Sequence, residues 1–136
     1  MDEQLRTRGL LDTSVVIDLE RIAADLLPDE VAVTALTMAE LGAGPHAAKT
    51  ADERARRQER LQRAEAVFDP LPFDTNAARA YGRVYATIVA KGRKARGPRA
   101  VDLLIAAIAC AEDLPLYTRN PEDLRGLESL IDVVEV

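Results

Sequence analysis

The sequence predicts an α/β fold with three layers, an αβα sandwich in which a short parallel sheet of four to five strands is covered by helices on both faces. Short apolar runs alternate along the chain with longer segments of helical period, which is the pattern of such sheets. The chain has 136 residues and 48% of them are apolar, a length and a composition typical of one globular domain. No repeat or linker divides the sequence, so we expect a single domain over residues 1–136.

The first half of the chain contains two apolar runs of strand length and three helical regions. The charged helix has few apolar positions, and a proline ends the helical region that precedes the second strand. The elements predicted here are, in order, a strand at 9–11, one or two short helices over 14–27 ended by Pro28, a strand at 31–34, a helix opening near Thr37 and a helix over 51–68.

The second half contains the most apolar helix of the chain, which is therefore predicted to be buried. Prolines confine one short extended piece to the edge of the sheet, and an amphipathic helix is indicated by apolar residues at spacings of three and four. The predicted elements are an edge strand at 70–73, a helix over 75–90, a loop at 91–98, the buried helix over 101–113, a strand at 116–118, a short helix over 121–127 and a final strand at 131–136.

The composition excludes several classes of function. One cysteine and one histidine exclude a disulfide framework and zinc sites built from Cys or His. The longest nearly uncharged run, 101–111, is much shorter than the ~20 residues that span a membrane. The net charge of −5 gives no whole-chain argument for binding nucleic acid. We expect a cytoplasmic protein that does not associate with membranes.

Four acidic side chains are predicted to meet at one edge of the sheet, although they lie far apart in the sequence. Asp12 ends the first strand, and Glu40, Asp102 and Asp123 each lie in the first turn of a predicted helix. In a parallel sheet, strand ends and the starts of the following helices gather at the same edge. Clustered carboxylates remain ionised when a cation neutralises them, and oxygen ligands favour Mg²⁺ or Mn²⁺. The residues alone therefore predict a metal-dependent phosphoryl site, such as one for phosphodiester hydrolysis.

Each acid also has a purely structural interpretation. Thr37 and Glu40 fit a capping box, and Asp12 is placed to cap the helix after the first strand. Asp102 would complement a helix dipole, and Asp123 follows a proline typical of a helix start. Two features favour the functional interpretation. Asp12 follows an apolar strand, where a buried charge needs a partner, and Asp102 begins a helix with almost no other polar side chain.

Four segments, in this order, resemble the motifs of PIN domains, and among them the VapC toxins of bacterial VapBC toxin–antitoxin modules. The segment beginning at Leu10 and the segment beginning at Asp102 carry the more specific motifs. One departure is Leu124, where the family often has an aromatic residue. The four segments are Leu10–Asp18, Thr37–Leu41, Asp102–Ala107 and Tyr117–Leu124.

The resemblance implies a Mg²⁺-dependent endoribonuclease that cleaves single-stranded or looped cellular RNA and halts translation. It also implies a homodimeric toxin and a cognate VapB-like antitoxin whose tail occupies the active site, so that toxin and antitoxin form a hetero-oligomer. Asp12 and Asp102 would be the principal metal ligands, with Glu40 and Asp123 completing the acidic pocket. The polar side chains that would support this pocket are Thr13, Thr118 and Asn120.

A basic segment precedes Asp102. It contains five cations within nine residues and no acid. It is either a solvated loop or an edge that binds RNA phosphates beside the acidic pocket. In the second interpretation the RNA-binding residues are Arg93, Lys94, Arg96 and Arg99.

The stripe of Tyr81, Val84, Tyr85 and Ile88 is predicted to be core or a dimer contact. The chain contains five aromatic residues, three Tyr and two Phe. An extended surface for stacking bases is therefore not expected.

Two other classes of function share features with this sequence. A response-regulator receiver or a dehalogenase-like phosphatase also uses acids and Mg²⁺ at the edge of a parallel sheet. The dehalogenase site needs a second Asp two residues after the first, where this chain has Ser14. A receiver needs adjacent acids at the first strand end, where Asp12 stands alone. The remaining alternative is a catalytically silent PIN-like binding module, against which the presence of all four carboxylates argues.

Overall fold

The computed structural model describes residues 7–136, in which four parallel strands form one sheet. The strands are β1 (Arg8–Leu11), β2 (Glu30–Ala32), β3 (Leu116–Thr118) and β4 (Val133–Glu135). The helices are α1 (Thr13–Ile17), α2 (Ala35–Ala47), α3 (Ala51–Val67), α4 (Thr75–Ala90) and α5 (Ala100–Glu112). Single 3₁₀ turns lie at Leu19–Arg21, Ala24–Leu26, Gly97–Arg99 and Pro121–Leu124.

The strand order is β2-β1-β3-β4, with all three pairings parallel. In the register, Leu10 lies opposite both Ala32 and Leu116, and Leu11 lies opposite Tyr117. The chain leaves β1 toward one side of the sheet and leaves β3 toward the other. A crevice therefore opens between the carboxyl ends of β1 and β3, which is where α/β sheets bind ligands.

Two apolar clusters cover the two faces of the sheet. Leu10 and Leu116 face a cluster built mainly from α4 and α5, whereas Leu11 and Tyr117 face a cluster with side chains from α1, α2 and α3. Neighbouring residues of a strand point to opposite faces, so two adjacent leucines of β1 belong to two different layers of core. All of β3 is buried, as is the central part of α5 from Ile105 to Ala109. The predicted three-layer α/β class is confirmed.

Several predicted boundaries differ from the structure, and hydrogen bonding explains the first of them. Helix α2 begins at Ala35, because the side chain of Thr34 caps it by accepting a hydrogen bond from the Thr37 amide at 3.1 Å. The helix therefore begins two residues before the predicted start near Thr37. The strand predicted at 70–73 is reduced to one parallel bridge between Leu71 and Thr34.

The remaining differences concern short segments. The region 14–27 divides into α1 and two 3₁₀ turns. The helix predicted over 121–127 is a single 3₁₀ turn over Pro121–Leu124, and the last strand covers Val133–Glu135 only. Within residues 7–136, no helix combines the length and the apolar character needed to cross a membrane.

Candidate active site

Asp12 lies at the carboxyl end of β1 and is nearly buried, with 8% of its surface exposed. Its amide donates to the carbonyl of Tyr117 at 3.0 Å, which fixes it beside the end of β3. Its Oδ1 accepts hydrogen bonds from the Val15 amide at 3.2 Å and from the Ser14 hydroxyl at 2.5 Å. Asp12 thus caps α1 as its structural interpretation predicts, and Oδ2 takes part in neither of these bonds.

Ser14 connects the ends of the two central strands. Its hydroxyl donates to Asp12 and accepts from the amide of Arg119, just after β3, at 3.1 Å. Ser14 is not among the site residues predicted from the sequence. The available signal was a hydroxyl residue two positions after a strand-ending acid.

Glu40 lies in the second turn of α2 because that helix begins at Ala35. The predicted capping box of Thr37 and Glu40 does not form, since Thr34 provides the cap. The Thr13 hydroxyl instead donates to Oε1 of Glu40 and lies 3.0 Å from the Thr37 hydroxyl. Glu40 is thereby held toward β1 from a different element of the fold.

Asp102 lies in the first turn of α5 and is half-buried. Its pKa is raised from 3.8 to about 6, chiefly by burial and also by the negative charges of Asp123, Asp12 and Glu40, whereas the Arg99 guanidinium lowers it. The structure therefore brings the other three predicted acids within electrostatic reach of Asp102. A proton or a cation is favoured among them.

The predicted polar supports are placed differently from one another. Thr13 contacts Glu40 directly. Thr118 is fully buried, and its hydroxyl accepts from the backbone amide of Asn120 at 3.0 Å. The Asn120 side chain makes no capping bond to the 3₁₀ turn that carries Asp123. Thr118 thus shapes the backbone leading to Asp123 and makes no hydrogen bond to a carboxylate within the described residues.

The basic segment borders the acids. Arg93, Lys94, Arg96 and Arg99 line a cleft of about 390 Å³ together with Asp102 and Asp123. The opposite charges therefore share one concave surface, in which cations flank the acids on one side. Such an arrangement can hold a phosphate group beside a metal-binding carboxylate cluster.

The site has oxygen donors only, which is the chemistry of hard divalent ions. As the side chains stand, no three Asp, Glu, His or Cys residues of the described region are arranged to hold one metal ion. The shared effect of three carboxylates on the pKa of Asp102 nevertheless defines a surplus of negative charge at the strand ends.

These features define a class of protein, α/β domains with a cluster of carboxylates at the switch point of a parallel sheet. The PIN domain family matches residues 9–127, which is most of the chain. The chain belongs to the PIN domain family, as its motifs predict. This membership removes the receiver and the dehalogenase-like phosphatase as alternatives.

Individual relatives extend the comparison over nearly the full length. Ribonuclease VapC5 of Mycobacterium tuberculosis is 39% identical over 128 residues, covering 92% of this chain and 91% of that protein. The crystal structure of VapBC-5 from the same organism, a member of the VapBC family of toxin–antitoxin systems, has a TM-score of 0.78 at 36% identity and covers 96% of this chain and 99% of that chain. The crystal structure of VapBC2 from Rickettsia felis, bound to a DNA fragment from its promoter, has a TM-score of 0.72 at 20% identity. It covers 96% of this chain and 98% of that chain, and this likeness shows the shared fold.

Proposed function

We propose that this protein is the toxin of a VapBC-type toxin–antitoxin module, a Mg²⁺-dependent endoribonuclease of the cytoplasm that hydrolyses phosphodiester bonds in cellular RNA and inhibits translation. One observation carries the proposal: Asp102 and Asp123 line a single cleft with four cationic side chains, so that carboxylates suited to a divalent ion and cations suited to phosphates share one surface. The 39% identity to a ribonuclease supports RNA as the substrate.

The acidic cluster fits a divalent ion by charge and by donor type. Asp12 and Asp102 are the principal ligands, Glu40 and Asp123 complete the pocket, and Mn²⁺ is expected to substitute for Mg²⁺. Side chains must rotate to close around the ion, because no three of them are arranged for it as they stand. A bound divalent ion supplies the positive charge and the activation of water that phosphodiester hydrolysis requires.

The protein's own side chains position the reacting groups. Ser14 and the Val15 amide fix one oxygen of Asp12, and Thr13 fixes one oxygen of Glu40. These hydrogen bonds restrict the starting orientations of Asp12 and Glu40, which limits the rotation needed to close the site around an ion. On the opposite side of the cleft, the cationic side chains take RNA phosphates; they are Arg93, Lys94, Arg96 and Arg99.

The partners follow from the same family relation. A VapB-like antitoxin neutralises the toxin and forms a hetero-oligomer with it, and the toxin itself is a homodimer. The VapBC names of the structural relatives support an antitoxin partner. If a small open reading frame adjoins the gene, co-expression with it, followed by co-purification, tests this part of the proposal.

A nuclease assay on protein freed of antitoxin tests the activity. Wild-type protein is incubated with total cellular RNA in Mg²⁺ or in EDTA, beside Asp12→Asn. The matched control is Asp69→Asn, which removes the same charge from an exposed residue between α3 and α4. We expect the wild-type protein to cleave RNA in Mg²⁺ and not in EDTA. The cleavage rate of Asp12→Asn should be at least a hundredfold lower, since single catalytic groups contribute on the order of 10²–10⁴ in rate. Asp69→Asn should retain full activity.

Two results would contradict the proposal. Cleavage that persists in EDTA would place the chemistry elsewhere. The absence of cleavage of any RNA in Mg²⁺ or Mn²⁺, by protein that still binds an antitoxin, would identify a catalytically silent binding module.

A further inference from the structure

A second cleft adjoins the one at the acidic edge. It has a volume of about 630 Å³ and is lined by Tyr85 and Val89 of α4 and by Arg93, Lys94 and Arg96. Tyr85 is 44% exposed and Val89 is 50% exposed, so an aromatic ring and an aliphatic side chain form an open apolar wall. The stripe predicted along α4 therefore divides, because Val84 and Ile88 are fully buried whereas Tyr85 faces outward.

The two clefts share one wall. Arg93, Lys94 and Arg96 line both the cleft that contains Asp102 and the cleft that contains Tyr85. A polyanion bound along these cations can therefore extend from the acidic edge to the exposed ring. The chain thus combines a line of cations with an aromatic surface at its end, which is how proteins bind single-stranded nucleic acid.

The end of α4 produces this arrangement. Gly92 adopts the left-handed conformation with φ of 74°, and the Arg93 amide donates to the Ile88 carbonyl at 3.1 Å. This is a Schellman-type helix end, which reverses the chain direction immediately after the helix. Arg93 is consequently placed beside the last turns of α4, where Tyr85 lies.

Arg93 is fixed and still has unused donors. Its Nη2 donates to the Glu122 carbonyl at 3.2 Å, and its Cδ packs next to Gly126. Its Nε and Nη1 are buried and have no hydrogen-bond partner in the described part of the chain. Buried donors are normally paired, and a guanidinium with two free N–H groups matches the oxygens of a phosphate. Both atoms are shielded from solvent, so a phosphate in the cleft that Arg93 lines is attracted by the charge of the guanidinium and reaches these two donors after the side chain moves.

The ring of Tyr85 is also supported. The Tyr81 ring lies against it with a centroid distance of 6.2 Å and an interplanar angle of 50°, and Tyr81 is itself packed against the core. A supported ring loses little conformational freedom when a base stacks on it. The geometry is therefore suited to one flat ligand.

We infer that Tyr85, together with Arg93 on the wall shared by the two clefts, forms a nucleotide subsite beside the acidic pocket, in which a base of single-stranded RNA stacks on Tyr85 and the neighbouring phosphate pairs with Arg93. The subsite rests on the proposed ribonuclease function and assigns to Tyr85 a part in selecting unpaired RNA, because a base within a duplex cannot stack on a protein ring.

Fluorescence anisotropy tests this inference with a short fluorescein-labelled single-stranded RNA in EDTA, which prevents cleavage. Base–aromatic stacking contributes ~1–3 kcal/mol, so Tyr85→Ala is expected to weaken binding at least about fivefold, whereas Tyr85→Phe retains affinity. Replacing nucleotides one at a time by abasic ones should reveal one position that matters to wild type and not to Tyr85→Ala. The control is Phe73→Ala, an aromatic residue that is 37% exposed and lines neither cleft.

Further measurements distinguish base stacking from the contribution of charge and from an effect on oligomeric state. Tyr85→Ala should leave the salt dependence unchanged, whereas Arg93→Ala should lower the slope of log K against log salt by ~0.7. If the wild-type protein binds RNA and Tyr85→Ala binds it with the same affinity, the subsite is overturned and the proposed function is not. A weakened Tyr85→Ala whose molar mass by light scattering is also altered assigns Tyr85 to an interface between copies. Wild-type protein that neither binds nor cleaves RNA overturns the proposed function as well.

Discussion

Replacing Asp102 with Asn should stabilise the protein in the absence of metal at neutral pH. The pKa of Asp102 is raised to about 6 by burial and by three neighbouring carboxylates. A pKa that is higher in the folded state means that the folded state binds the proton more tightly than the unfolded chain does. The resulting stabilisation is complete below pH 3.8 and is lost as the pH rises through about 6. At pH 7 the ionised side chain therefore destabilises the fold.

The magnitude follows from the size of the shift. A change from 3.8 to about 6 corresponds to about 3 kcal/mol at 1.36 kcal/mol per pKa unit. Asp102 is only half-buried, and solvent screening reduces this to about 1–1.5 kcal/mol. For a domain of this size, that free energy corresponds to an increase in Tm of about 3–6 °C. The gain should be about half as large at pH 5, where the folded wild type is mostly protonated.

Thermal unfolding followed by circular dichroism in EDTA, at about pH 7.5 and about pH 5, measures this effect. Asp69→Asn serves as the control, since it removes one charge from an exposed position and should change stability by less than about 0.5 kcal/mol at both pH values. A lower Tm for Asp102→Asn at pH 7.5 would refute the reasoning. It would show that the carboxylate stabilises α5 through the helix dipole more than its neighbours repel it.

Two further predictions concern the ion and the sheet. With a pKa of about 6, Asp102 is about ten times more ionised at pH 7 than at pH 5. The Mg²⁺ affinity measured by calorimetry should therefore fall about tenfold from pH 7 to pH 5. An affinity that does not change with pH would contradict a role for Asp102 as a ligand. Gly9→Ala places a Cβ 2.4 Å from the Tyr117 ring and should destabilise by about 1–3 kcal/mol. At Gly42, which lies in helix α2, an added Cβ would meet nothing within 4 Å, so Gly42→Ala should stabilise the protein by about 0.5–1 kcal/mol. Denaturant titration measures both variants, and equal effects of the two would contradict the close contact between Gly9 and the Tyr117 ring.

The sequence predicts the layers of this fold better than it predicts the ends of the elements. Adjacent residues such as Leu10 and Leu11 supply both faces of the sheet, and this follows from strand geometry alone. The start of α2 depends on whether Thr34 or Thr37 provides the cap, and the two are the same residue type. Thr34 is selected because its backbone also bridges to Leu71, a contact between distant segments that no local pattern contains.

The acidic cluster was predictable for a general reason, and the groups that orient it were not. Strand ends and helix starts meet at one edge in any parallel sheet, so the meeting of Asp12 and Asp102 follows from the order of elements. Ser14 acquires its role from the Arg119 amide, 105 residues along the chain, and this depends on β3 pairing next to β1. The positions that carry charge can thus be inferred from topology, whereas the side chains that hold the charges in place depend on the exact register.

The exposure of the Tyr85 ring could not be predicted from the sequence either. A helical stripe assigns Tyr81, Val84, Tyr85 and Ile88 to one face, yet the face in contact with α5 is narrower than the stripe, and Tyr85 lies beyond its edge. The width of a helix–helix contact depends on the side chains of both helices. Ala106 and Ala107 of α5 share one apolar cluster with the buried side chains of α4, whereas Tyr85 lies outside that cluster and lines a cleft with the basic segment. The same packing that buries α5 therefore provides the surface on which we infer that a base stacks.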